Sequence, residues 1–125
     1  MLPIRMSRDH RKLRVFTLAD ELVLEVYRIT GAFPAEERYG LQTQLRRSAL
    51  SVAVNIVEGC ARRTTREYAS FINVATGSAA ESRYAVDVSI RLGFLSAKEH
   101  QGTLHRLDDL VTQLKALGNS LEKQP

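Results

Sequence analysis

One stretch limits the fold of this chain more than any other: Gly40 to Glu67, GLQTQLRRSALSVAVNIVEGCARRTTRE. It reads as one long helix, apolar around most of its circumference. At about 100° per residue from Arg46, Ser48, Ser51, Asn55, Glu58 and Arg62 fall within roughly 80° of one another. Leu45, Ala49, Val52, Ile56 and Cys60 form one apolar face, and Leu50, Ala53, Val54, Val57 and Ala61 form a second. A helix with two apolar faces must bury both. The core of a small bundle takes one. The other calls for a deeper position in the core or for a partner subunit.

Four helices account for the rest of the pattern. The first is expected over about Leu18–Thr30, with Thr17 as N-cap and Asp20 favouring the helix N-terminus. Gly31 stops it and Phe33-Pro34 turns the chain. The second begins between Ala35 and Leu41 and ends near Arg63; its ~24 residues span roughly 36 Å. Thr64-Thr65-Arg66-Glu67 is a capping box that starts the third, which runs to Leu92 and ends at Gly93. Ser96-Ala97-Lys98-Glu99 is a second capping box, followed by the stripe Leu104, Leu107, Val111, Leu114, Leu117 and Leu121. No strand pattern survives. Short links favour antiparallel neighbours, so the expected fold is all-α: a single-domain, up-down-up-down four-helix bundle over residues 17–122, with a basic N-terminal tail, 1–16, and a short C-terminal tail, 123–125. Gly77, between Ala75 and Ser78, costs about 1 kcal/mol in a helix relative to Ala, which points to close approach of a neighbouring backbone.

Charge is unevenly spread. The 125 residues carry a net +4. Residues 1–16 hold Arg5, Arg8, Arg11, Lys12 and Arg14 against Asp9, and the remainder is neutral. Within that remainder, Arg38 to Glu67 holds Arg38, Arg46, Arg47, Arg62, Arg63 and Arg66 against Glu58 and Glu67. Arginine is favoured where planar groups meet phosphate or carboxylate through two parallel hydrogen bonds. Two basic regions on a neutral background are compatible with nucleic-acid contact. They are equally compatible with solvated helix ends plus a partly flexible basic tail. No aromatic is interleaved with these arginines in sequence, so the expected contact is with phosphate rather than stacked bases.

Catalytic signals are weak. His100 and His105 are five apart and face different sides of a helix, and no Glu-x-x-His occurs. His105 with Asp108 or Asp109 is a weak metal pair at best. Cys60, beside Arg62 and Arg63, is either an activated thiol or, from its position next to Ile56, a small buried one. Asn55 and Glu58 are either a ligand-binding or catalytic carboxylate site or a hydrogen-bonded lock that sets helix register or subunit packing, with Arg46 or Arg47 of a neighbouring subunit, Arg83 or backbone groups as partners. The lock is the favoured reading, because one carboxylate without a companion makes a poor active site. No enzyme, cofactor or metal is expected. The single cysteine and the lack of a signal peptide or membrane span fit a cytoplasmic protein, whether translation starts at Met1 or Met6.

The combination Phe33-Pro34, Glu37, Gly40-Leu41, Gln44-Leu45-Arg46-Arg47, Ser51, Asn55-Ile56-x-Glu58-Gly59, Arg62, Glu67, Phe71, Ala75, Gly77-Ser78, Glu81 and Leu92-Gly93 resembles a known family. It is the four-helix-bundle family of proteins encoded in intervening sequences of bacterial 23S ribosomal RNA genes. That family includes the accessory variability determinant of diversity-generating retroelements. The resemblance covers Leu13 to Leu95 well and the fourth helix by pattern. It implies a bundle that assembles as a ring-like homopentamer. In the retroelement members it implies a basic surface that binds RNA or DNA and a partner reverse transcriptase. The basic-surface candidates carried over by position are Arg46, Arg47, Arg62 and Arg63, to which their own charge adds Arg66, Arg11 and Lys12. Ser51, Asn55, Glu58, Gly77, Ser78 and Glu81 fit the polar signature, with a structural role. Arg14-Val15-Phe16-Thr17 departs from the aromatic-Gln-Lys opening of many members, and Ala79 to Val86 is richer in alanine. The alternative function is an oligomeric protein–protein scaffold with no nucleic-acid role.

Overall fold

A computed structural model describes residues 8–124 of the chain. Arg5, both candidate start methionines and Pro125 lie outside the described residues, as does the part of the basic tail before Arg8. Four helices make up the described chain: α1, Arg14–Thr30; α2, Leu41–Cys60; α3, Thr65–Arg91; and α4, Ala97–Glu122. Short 3-10 turns, His10–Lys12 and Ala35–Glu37, precede α1 and α2. Consecutive helices pack side by side, most extensively α2 with α3, then α3 with α4, while α1 closes the bundle more lightly against α4. None of the helices is long and apolar enough to cross a membrane.

The two capping boxes act as their residue types require. Thr64 Oγ1 accepts from the Glu67 N–H at 3.1 Å, and Ser96 Oγ accepts from the Glu99 N–H at 3.3 Å. Gly93 has φ +84°, the left-handed conformation that lets the chain reverse after α3. The start of α1 differs from expectation. It begins at Arg14, so a boundary at residue 17 falls inside the helix, and Leu13 precedes it with no side-chain cap. Thr17 instead donates back to the Leu13 carbonyl at 3.4 Å. Asp20 then lies past the first turn, which holds no acid.

The core forms where apolar stripes meet. Ile56, Ile72, Val86 and Leu114 are fully enclosed, each worth about 1.5–3 kcal/mol relative to exposure. Leu110, absent from the sequence-derived stripe of α4, is buried as well. The seam between α2 and α3 is lined with serines. Ser48 Oγ meets Ser82 Oγ, and Ser51 Oγ meets Ser78 Oγ, each at 2.8 Å. Such small side chains let two helices approach closely while keeping their hydroxyls satisfied.

Close approach happens at a different glycine from the one expected. A Cβ on Gly77 would meet nothing within 4 Å, whereas one on Gly59 would lie 3.0 Å from Tyr68 Cδ1 and 3.1 Å from Phe71 Cβ. Gly59 is therefore where α2 admits the start of α3, and Gly77 sits on an open face. The second apolar face of α2 is open in part: Ala53 is buried and Val57 half-buried. Leu50 and Val54 are each 43% exposed, and Val74 on α3 is 52% exposed.

Candidate nucleic-acid interface

The end of α2 creates a basic corner. The helix stops at Cys60, the Arg62 N–H bonds the Gly59 carbonyl at 3.1 Å, and Thr64 caps α3 immediately afterwards. This tight link projects Arg62 and Arg63 from the turn and Arg66 from the first turn of α3, all exposed. Arg62 is partly engaged: its guanidinium lies 4.8 Å over the Phe71 ring and 3.8 Å from Glu58. Arg63 and Arg66 make no hydrogen bond or ion pair among the described residues.

The N-terminal segment joins this corner. Arg8 Nη1 donates to the Arg62 carbonyl at 2.8 Å, Arg8 Nη2 donates to Thr65 Oγ1 at 2.9 Å, and the guanidinium lies 5.4 Å over Tyr68. Beyond Arg8, the Asp9 carboxylate caps the 3-10 turn by accepting from the Arg11 N–H at 3.1 Å. It also accepts from the Arg11 guanidinium at 3.0 and 2.9 Å. Those hydrogen bonds from Arg11 hold the Asp9 carboxyl well down, at about 2. His10 packs edge-on against Phe16, with ring centroids 4.7 Å apart. The basic segment and the α2–α3 turn, separate in sequence, thus share one end of the bundle, with Arg11 and Lys12 exposed.

Beneath Arg8 sit Tyr68 and Cys60. The Cys60 thiol donates to Tyr68 Oη at 3.6 Å, and both side chains are buried. Burial pushes the Cys60 thiol up, against the downward pull of Tyr68 and Arg8. Burial likewise pushes the Tyr68 phenol up. Of the two readings of Cys60, the structure bears out the small buried thiol: the neighbouring arginines do not activate it. Among the described residues no three His, Cys, Asp or Glu side chains converge as a metal site would need.

The other candidates divide. Arg46 is spent inside the fold: Nε donates to Thr30 Oγ1 at 2.8 Å, Nη2 donates to the Tyr27 carbonyl at 3.1 Å, and the guanidinium stacks 4.7 Å over the Tyr27 ring. It therefore closes the C-terminus of α1, whose last carbonyls lack helical partners. Arg47, its neighbour, is exposed. Within the chain, Asn55 and Glu58 make no side-chain bond to another helix among the described residues, and the backbone partner of Asn55 lies on α2 itself. Asn55 donates to the Ser51 carbonyl and hydroxyl, at 2.8 and 3.1 Å, and Glu58 is exposed beside Arg62. Within the chain Arg83 does not reach them and pairs with Asp108 at 3.0 Å instead. The inter-helix role falls to Ser51–Ser78, Ser48–Ser82 and a bond from Gln44 to Glu81. Aromatic rings do accompany the arginines in space, contrary to their sequence spacing, but guanidinium groups of the same chain occupy those faces. Arg8, Tyr68 and Ser82 carry no sequence signal of these roles, because each depends on a partner tens of residues away.

An open groove of about 610 Å³ flanks the corner between α3 and the end of α4, lined by Thr65, Arg66, Asn73 and Glu122 among others. Its mixed charge makes it a poorer anion site than the arginine corner itself.

Comparison with known proteins agrees with this architecture. The structure resembles the crystal structure of a protein of unknown function from the S23 ribosomal protein family of Bacteroides thetaiotaomicron. The TM-score is 0.74 at 17% identity, covering 82% of this chain and 96% of that one. No curated protein matches. The family model described as 23S rRNA-intervening sequence protein matches residues 11–116. On a match that takes in three helices whole and most of the fourth, this chain belongs to the 23S rRNA-intervening sequence protein family.

Proposed function

We propose that this is a non-enzymatic, homo-oligomeric bundle that contacts nucleic acid through its arginine-rich corner. The observation that carries the reading is the set of exposed arginines, Arg62, Arg63 and Arg66, two of which have no partner among the described residues. Unpaired cations crowded on one turn repel each other, and an anionic partner relieves that repulsion. Phosphate contact of this kind is salt-sensitive and weakly sequence-specific. The setting this favours is a ribosomal RNA insertion element, or accessory service to a reverse transcriptase, in bacterial cytoplasm.

Assembly is supported by the second apolar face of α2. Leu50 and Val54, with Val74 and the open Gly77 of α3, leave apolar surface that a second subunit would cover. By family resemblance the closed form is a pentamer. The same face favours the second reading, an oligomeric scaffold whose main partner is another protein. Two measurements test these readings. Light scattering on the purified chain gives the number of subunits, and a monomer would overturn the assembly. Fluorescence anisotropy with labelled structured RNA and a matched DNA duplex, across a salt series, gives the nucleic-acid contact. Binding that weakens steeply with salt supports the first reading. No binding at low salt leaves the scaffold.

A further inference from the structure

The N-terminal segment is part of the corner. Arg8 spends a forked guanidinium on two groups that belong to different elements, the Arg62 carbonyl in the α2–α3 turn and the Thr65 hydroxyl in α3, while lying over Tyr68. A single arginine thereby buckles the chain across the junction of two helices. The segment that follows is held short and rigid by the Asp9 cap. It leaves the Arg11 side chain 77% exposed, with Lys12 beside it also exposed. Arg14 follows at the first position of α1, a helix end where a cation is disfavoured and where no acid offsets it. Positive charge from two distant parts of the sequence is gathered at one end; Asp9 pairs with Arg11 and Glu58 lies 3.8 Å from Arg62, while the side chains of Lys12, Arg63 and Arg66 have no ion-pair partner among the described residues.

The rings near this patch are not offered to bases. Tyr68 is buried under Arg8, and Phe71 lies under Arg62. Single-strand binding relies on open aromatic platforms. A surface of guanidinium and ammonium groups without such platforms suits the dense, regular phosphates of a duplex.

We propose, building on the nucleic-acid reading above, that Arg8, Arg11, Lys12, Arg62, Arg63 and Arg66 form one composite surface for the phosphate backbone of a duplex. Arg8 is its positioning residue. It contributes by holding Arg11 and Lys12 in place as well as by its own charge. The consequence is a coupling that a floppy tail would not show. Arg8→Lys keeps the charge but loses the fork that spans both acceptors.

The test is anisotropy of a short blunt RNA duplex, with a DNA duplex and a non-pairing single strand of equal phosphate number as companions, across a potassium chloride series. Each phosphate contact contributes about 0.9 to the slope of log affinity against log salt on a DNA duplex. Arg11→Gln with Lys12→Gln, both at exposed sites, should flatten the slope by between about 0.9 and about 1.8 in the native background, the upper value holding where Arg11 leaves Asp9 for phosphate. In the Arg8→Lys background the same pair should change it little, and Arg8→Lys alone should flatten it by more than one contact. Additive effects, or an Arg8→Lys protein indistinguishable from the native one, would overturn the positioning role. So would equal or tighter binding of the single strand overturn the duplex fit. If the native protein binds none of the three probes at low salt, the nucleic-acid reading itself falls. Circular dichroism of each variant verifies that the bundle is intact.

Discussion

The two ends of α2 use the same residue type in opposite ways. Near its start, Arg46 is folded back onto α1, bonded to Thr30 and Tyr27 and stacked on the Tyr27 ring. Just past its end, Arg63 stands exposed with no partner among the described residues, and Arg66 does the same one turn into α3. An arginine adjacent to another helix's unsatisfied carbonyls becomes a cap. An arginine in a tight turn, where Arg8 already bonds the Arg62 carbonyl, is left for solvent or for a partner. Charge on a sequence does not separate these fates; the identity of the neighbouring helix end does.

The glycines sharpen the contrast most. Gly59→Leu should destabilise the bundle by about 3 kcal/mol, because its Cβ alone lies 3.0 Å from Tyr68. In the dissociated chain Gly77→Leu should leave stability unchanged or raise it by up to about 1 kcal/mol, since nothing lies within 4 Å of its Cβ and leucine is the better helix former. Thermal unfolding of both variants checks this, and equal losses would contradict the assignment of close approach to Gly59. Next in size, Arg46→Ala should cost about 1–2 kcal/mol through lost hydrogen bonds to Thr30 and Tyr27. Its salt slope for nucleic acid should not change. Arg63→Gln and Arg66→Gln should do the reverse: stability within about 0.5 kcal/mol of the native protein, and a flatter salt slope. Denaturant titration alongside anisotropy separates the two classes, and a salt slope altered by Arg46→Ala would break the comparison.

The smallest effect concerns the Asp9 cap. Its carboxyl titrates at about 2, below the ordinary 3.8, because Arg11 donates to the charged form. A lowered folded value means the contribution is complete above about 3.8 and is lost as pH falls toward 2. The carboxyl carbon shift of Asp9 in an NMR titration should therefore move near pH 2. A midpoint near 3.8 would show that the cap does not hold in solution.

Much of the fold is legible in the chain because it rests on local rules. Thr64 and Ser96 read as caps from their spacing to Glu67 and Glu99, and they act as caps. Gly93 reads as a stop and turns the chain. The errors come where a local pattern has two structural solutions. Thr17 looks like an N-cap, yet α1 starts earlier, since Val15 and Phe16 find core contacts that extend the helix. The polar stripe of Ser51, Asn55 and Glu58 was readable as a stripe. Which helix covers it depends on tertiary packing, and within the chain the serines of that stripe, rather than Asn55 and Glu58, make the contacts to α3. The cost of glycine inside a helix is the same on any face, so propensity alone could not distinguish Gly77 from Gly59. The corner was half legible: Arg62, Arg63 and Arg66 follow from the short α2–α3 link, whereas Arg8 reaches that corner only through tertiary contacts.

The measurement closest to the central claim is the salt dependence of duplex binding by the native protein and by the Arg63→Gln, Arg66→Gln double variant. Steep salt dependence is expected for the native chain and a slope about 1.8 shallower for the variant, at unchanged stability. Identical slopes for the two proteins, or no native binding at low salt, would contradict it.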